Sequence, residues 1–298
     1  MKMDDQSHCL DLGNGRIRQY HCAQQSEVEM NKRNIFTLAI ITIIIIIVGV
    51  LFVYLQNPTT GINLPFIPSN SENSDKSAEI QKAEQLLNDG NYEGAYQAYT
   101  VAIESGQDLA VAYAGRGDIL SLWRRFLEAS SDYTKSIEHE PNAVVLTSRC
   151  NTYRLLAKFD LALQDCQDAI EFDPEYLDGR HALATLYMEQ GDLDNAQTTI
   201  EEALKINPES DFAHFILGTV LLNSGKVDEA IEEYSIAIQL NPTEPQYYWE
   251  RGFVYYATAQ LQLAKDDLQK VIDHGDPYKH SSLIYQAGSL MNSIGSIP

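Results

Sequence analysis

Apolar positions follow two rules along this chain. Between Ile35 and Leu55 they run together without a charge, and Ile43 to Ile47 is unbroken isoleucine. From about residue 76 they are instead spaced three and four apart among polar residues, which is the pattern of helices with one buried stripe. Leu217, Leu221 and Tyr234 follow it, as do Leu120, Phe126 and Tyr133. Small residues stand beside them, such as Gly117, Ala129 and Ser136, then Ala184, Ala196 and Ala203, then Gly218, Ala230 and Ala237. Small faces let two backbones approach while bulky side chains fill the flanks. The pattern predicts paired helices, each of about 12–14 residues.

These pairs recur with a fixed beat. Ala95, Ala129, Ala162, Ala196, Ala230 and Ala264 are separated by 34, 33, 34, 34 and 34 residues. Pro141, Pro174, Pro208 and Pro242 keep nearly the same interval, and each should stop one helix and open a turn. Between the prolines, "NDGNYEGA", "EQGDLDNA" and "NSGKVDEA" place Gly90, Gly191 and Gly225 where a tight turn is needed. A lone helix of this length is marginal in water, and one pair cannot cover its own apolar face. A stack of pairs can, so the period implies a solenoid.

The alanines, prolines and turn glycines together resemble the tetratricopeptide repeat (TPR), a 34-residue helix–turn–helix. The resemblance implies an all-α fold: a right-handed solenoid of about six units at 76–109, 110–142, 143–176, 177–210, 211–244 and 245–278. The first unit carries Gln107 where the others have proline, the third has Cys150 and Cys166 at a small and a bulky site, and the sixth has Val271 at a small one. After Pro277, a helix from about Tyr278 to Met291 with Leu283, Ile284, Ala287, Leu290 and Met291 near one face is expected to cap the array within 279–298.

The unbroken stretch has a different destiny. At 1.5 Å per residue, 35–55 extends about 31 Å, close to the hydrocarbon thickness of a bilayer. It is expected to be a transmembrane helix and an uncleaved anchor, since a signal peptide has a shorter apolar core followed by small residues. Lys32 and Arg33 abut its N-terminal end, and no Lys or Arg occurs from Gln56 to Asp75. The basic side tends to stay in the cytoplasm. This predicts a cytoplasmic tail over 1–34, a linker over 56–75 rich in Pro and Ser, and a repeat array outside the cytoplasm, at the cell membrane. Translation from Met30 would put "MNKRN" directly before the anchor.

Net charge of −21 removes one class of partner. Nucleic-acid binding needs a basic footprint, and residues 76–298 alone carry −19, from 35 acids and 16 bases. Paired acids such as Glu201–Glu202 and Asp266–Asp267 read as solvated helix surface. Cys150 and Cys166 lie on the two helices of one unit, either as two small buried apolar residues or as a disulfide, which a compartment outside the cytoplasm would allow. No Gly-rich phosphate loop, GxSxG or HExxH occurs, and the seven histidines are scattered. No enzyme activity, metal or cofactor is expected.

What remains is the inner face. In proteins resembling this one, the first helix of each unit lines a groove. Projected here, that face carries Asp118, Thr147, Asn151 and Arg154 early and His181, Thr185, Phe212, Phe215, Thr219, Leu222, Trp249, Phe253 and Tyr256 later. The last group lies off the stripe of Leu217, Gly218 and Leu221, where an amphipathic helix should be polar, so something covers it. A partner groove with Trp249 and Tyr256 as anchors is one reading; packing between units or under the cap is the other. The Lys, Asn and Arg set with which chaperone-tail-binding relatives clamp a carboxylate is not reproduced, Asn151 and Arg154 being partial matches. The function expected is a membrane-tethered scaffold for a protein or peptide partner. A cytosol-facing adaptor of reversed orientation is the alternative, and an enzyme with its site in irregular loops is a third.

Overall fold

The computed structural model describes residues 76–295 as thirteen α-helices. The chain divides into Met1–Thr60 and Gly61–Pro298, and everything described belongs to the second unit. The expected tail, membrane span and linker, 1–34, 35–55 and 56–75, lie outside the described residues. Among those described, no helix is long and apolar enough to cross a membrane.

The helices are α1 (Ala78–Asn88), α2 (Tyr92–Ser105), α3 (Leu109–Leu122), α4 (Phe126–His139), α5 (Ala143–Leu155), α6 (Phe159–Phe172), α7 (Leu177–Glu189), α8 (Leu193–Ile206), α9 (Asp211–Asn223), α10 (Val227–Leu240), α11 (Pro245–Ala257), α12 (Leu261–His274) and α13 (Ser281–Gly295). The first twelve form six antiparallel pairs, each packed on the next.

One turn serves all six pairs. The amides of Asn91, Arg125, Lys158, Asp192, Lys226 and Gln260 each donate to the carbonyl five residues back, at 2.7–2.9 Å. This closure needs a left-handed residue just before the donor. Gly90, Gly191 and Gly225 supply it in three pairs, and Arg124, Ala157 and Ala259 adopt it in the others, at φ +61°, +54° and +60°. The missing glycines therefore did not change the turn; those three units carry local strain instead.

The prolines act as expected. The second helices end at His139, Phe172, Ile206 and Leu240, two residues short of each proline. The intervening Glu140, Asp173, Asn207 and Asn241 cannot stay helical before proline, and their ψ lies between 85° and 103°. Asp173, Asn207 and Asn241 each accept from the amide two residues on, which turns the chain into the next helix. The first unit, lacking proline, stops at Gly106 with φ +73°.

Within each pair, a small residue on the first helix faces a large one on the second. A Cβ added at Gly117 would lie 2.8 Å from the Tyr133 ring, and one at Gly218 2.8 Å from the Tyr234 ring. The third unit solves the same crossing differently. Cys150 and Cys166 stand at the equivalent positions, both fully buried, with Cα atoms 5.4 Å apart and their sulfurs joined.

Between pairs, an arginine recurs that the hydrophobic pattern did not announce. Arg116, Arg149 and Arg251 each grip the aspartate sixteen residues on, Asp132, Asp165 and Asp267, through two nitrogens at 2.7–2.9 Å. Each also donates back to a hydroxyl on the preceding unit's second helix, Thr100, Thr134 or Ser235. Three helices are tied by one guanidinium. The fourth and fifth units carry Leu183 with Thr199 and Leu217 with Glu233 there; Thr199 donates to the Asn195 carbonyl of its own helix, and Glu233 pairs with His214 at 2.6 Å instead.

The terminal helix starts at Ser281 and runs to Gly295, later at both ends than expected. Asp276 explains the start: its carboxylate accepts from the amides of Tyr278 and Lys279 at 2.8 and 2.9 Å and holds them in a turn. Leu283, Ala287 and Ile294 then bury against Leu268 and Val271 of the sixth pair.

Two stability outcomes follow. Arg149→Leu alone should cost about 3 kcal/mol, because it strands the buried Asp165 carboxylate, whereas Arg149→Leu with Asp165→Thr, the fourth unit's arrangement, should return to within about 1 kcal/mol of the parent in urea unfolding. Ala259→Gly should stabilise by about 0.5–1 kcal/mol in the same assay, by relieving a left-handed alanine.

Candidate functional site

First helices of successive units approach one another closely, α3 with α5, α5 with α7 and α7 with α9, while second helices stay further apart. The side on which like helices converge is the inner side of the curve. Every residue expected in the groove lies on a first helix: Asn151 and Arg154 on α5, His181 on α7, Phe212, Phe215, Thr219 and Leu222 on α9, Trp249, Phe253 and Tyr256 on α11.

The structure does not treat them alike. Trp249 is only 6% exposed and shares an apolar cluster with Leu283, Ala287 and Ile294 of the terminal helix. Of the two expected readings, this burial favours packing beside the terminal helix over a groove anchor. Phe253 and Tyr256 pack, half-buried, against the same cluster. Arg154 is ion-paired with Glu189 across to the next unit and is not free to meet a carboxylate. Asn151 is half-buried.

Phe212 stays open, at 40% exposed. Its ring lies 5.1 Å from His181, edge-on, and 6.0 Å from Phe215, which in turn lies 5.0 Å from Tyr247. An aromatic row thus crosses the fourth to sixth units. Tyr247 was not anticipated; its hydroxyl donates to Asp211 at 2.9 Å, which fixes the ring. Thr219 donates to the Phe215 carbonyl and accepts from the Tyr234 hydroxyl, so it faces inward and down. Leu222 packs against the main cluster of the fourth and fifth units.

Toward the N-terminal end the same face is acidic. The half-buried Asp118 accepts from the Tyr133 hydroxyl at 2.8 Å. Burial pushes its carboxyl up to about 7, against the pull of that hydrogen bond. Glu250, on α11, is likewise pushed up to about 7 by burial, although Gln246 donates to it at 2.8 Å. The signal for both was available in the sequence: each is a carboxylate within two residues of the small crossing position, Gly117 or Gly252. Among the described residues, no group of three or more His, Cys, Asp or Glu is placed to hold a metal ion.

Residues 181–245 match the family model for the tetratricopeptide repeat. The chain is 30% identical over 109 residues to the DnaJ homolog subfamily C member 7 homolog of Schizosaccharomyces pombe, a match covering 35% of this chain and 23% of that protein. It is 30% identical over 88 residues to heat shock protein STI1 of Saccharomyces cerevisiae, covering 29% of this chain and 15% of that one. The chain thus spans less than a quarter of the length of these relatives. A tetratricopeptide repeat protein from Parabacteroides merdae superposes with a TM-score of 0.56 at 19% identity, over 73% of this chain and 91% of that one. A thermophilic TPR protein in Thermus thermophilus gives 0.54 at 20% identity, over 60% and 97%. At these identities the likeness shows the fold: an all-α TPR solenoid.

The two raised carboxyls set a pH dependence. A carboxyl that holds its proton more tightly folded than unfolded weakens the fold as pH rises from its unfolded value, near 4, to its folded value, about 7, and not further above that. Asp118→Asn should therefore melt higher than the parent at pH 8, with the difference shrinking toward pH 5, in a thermal series over that range.

Proposed function

We propose that this chain is a membrane-tethered scaffold whose inner face binds a polypeptide segment. The observation that carries the reading is the stripe of α9, where Phe212 stands open, 40% exposed among the described residues, beside His181 and Phe215. Tyr92, Phe159 and Phe172 are exposed as well, but they lie on second helices, away from the inner face. A large aromatic left at the centre of an inner face is the usual anchor of a binding surface. The matches to repeat proteins agree with protein or peptide binding rather than catalysis.

The tether is 35–55, with the tail on the cytoplasmic side and the array outside. The charge asymmetry across 35–55 supports that orientation. So does the bridge between Cys150 and Cys166, since disulfides persist in oxidising compartments. A repeat array held this way presents its groove to membrane-complex subunits or to unfolded segments crossing the bilayer.

Two measurements on the full chain in cells test this. A photo-crosslinking amino acid at Phe212 should capture protein partners that the same group at Leu127, exposed on α4, does not; identical products from both would overturn the groove. Protease added to sealed spheroplasts should digest the array and spare the tail; a protected array would overturn the orientation and favour the cytosol-facing alternative.

A further inference from the structure

The terminal helix α13 follows the sixth pair, and its outer side is unlike the rest of the surface. Leu283, Ala287 and Ile294 turn inward onto that pair. Outward stand Ser281, Ser282, Tyr285, Ser289 and Asn292, all exposed. The last element of a repeat array needs a polar outer face to stay soluble alone. Here that face carries no charge: among the described helices, α13 alone lacks Asp, Glu, Lys and Arg. Tyr285 is 78% exposed and Tyr278, just before the helix, 94%, the most open of the described tyrosines and phenylalanines.

Gly288 adds a second anomaly on the same helix. A glycine inside a helix costs stability relative to alanine. Other interior glycines of the described helices have a reason to be there. Gly115 lies under Tyr99, Gly117 under Tyr133 and Gly218 under Tyr234, while Gly179 and Gly252 meet side chains of neighbouring helices. The space where a Cβ of Gly288 would stand is empty to 4 Å. No described residue requires the glycine. Tyr285 stands three residues earlier, so an open ring and a bare backbone are neighbours on one face.

That arrangement is self-complementary. When two copies of α13 cross antiparallel about a two-fold axis, each Tyr285 ring covers the other copy's Gly288, and Ser281 lies opposite Asn292. The contact repeats between chains the crossing that Gly117 with Tyr133 and Gly218 with Tyr234 make within one. Charge selects the face. Residues 76–298 carry −19, so two copies repel wherever their charged helices meet. At the uncharged end they can touch without setting carboxylate against carboxylate.

We propose that the outer face of α13 is a docking surface for a second copy of this chain, with Tyr285 of each copy seated on Gly288 of the other. The pair then carries two inner faces in one particle.

Sedimentation equilibrium of the full chain in detergent should show monomers in balance with dimers. Gly288→Ala should weaken the dimer at least tenfold, because the added methyl stands where the ring must lie. It should also raise the melting temperature of the dilute chain, because alanine is the better helix former. Tyr285→Ala should weaken the dimer likewise. In a mixture of isotope-labelled and unlabelled chains, a photo-crosslinking amino acid at Asn292 should join the two kinds, at residues 278–289 of the other copy. A chain monomeric at every concentration, a dimer indifferent to both substitutions, or a lower melting temperature for Gly288→Ala overturns the proposal. So do cross-links from Asn292 that stay within one copy or reach residues 1–75, which would make the chain's own N-terminal part the occupant.

Discussion

The whole array depends on one close crossing, repeated. In each pair a residue with little or no side chain on the first helix lets a large one on the second sit against its backbone, as Gly117 does for Tyr133 and Gly218 for Tyr234. That contact sets how near the helices come, and hence how much apolar stripe is left for the next pair to cover. The alanines at Ala95, Ala129, Ala162, Ala196, Ala230 and Ala264 are fully buried for the same reason. A larger residue at any of them would push a pair apart and misplace its neighbour. The third unit shows how strict the constraint is: it has neither glycine nor tyrosine at the crossing, and a covalent bond between Cys150 and Cys166 takes their place.

Specific polar contacts are layered on this frame unevenly. The arginines at 116, 149 and 251 clamp their own unit to the preceding one, while the fourth and fifth units carry leucine there and the fifth pairs Glu233 with His214 instead. Breaking a buried ion pair is far more costly than never having had one. The two arrangements are therefore alternative solutions to one packing problem, each closed within itself. The fifth unit is where Phe212 remains open.

The inner face thus has a gradient along the stack. Asp118 lies in its first part; His181, Phe212, Phe215 and Tyr247 follow; Trp249 shares a cluster with the terminal helix.

The repeat was legible in the sequence because each unit needs the same few residues at the same spacing: a small crossing residue, a turn, a helix stop. Fold class, number of pairs and the inward set on first helices follow from that local chemistry. The turns at Arg124, Ala157 and Ala259 were less legible, since a residue other than glycine can be forced left-handed by the helices on either side. Which inward residues stay open was not legible at all. Phe212 and Trp249 look alike as apolar residues off the core stripe, yet one is left open and the other is buried in a cluster with the terminal helix. Local spacing determines which way a side chain points; whether anything arrives to cover it depends on chain distant in sequence, and only the packed array decides that.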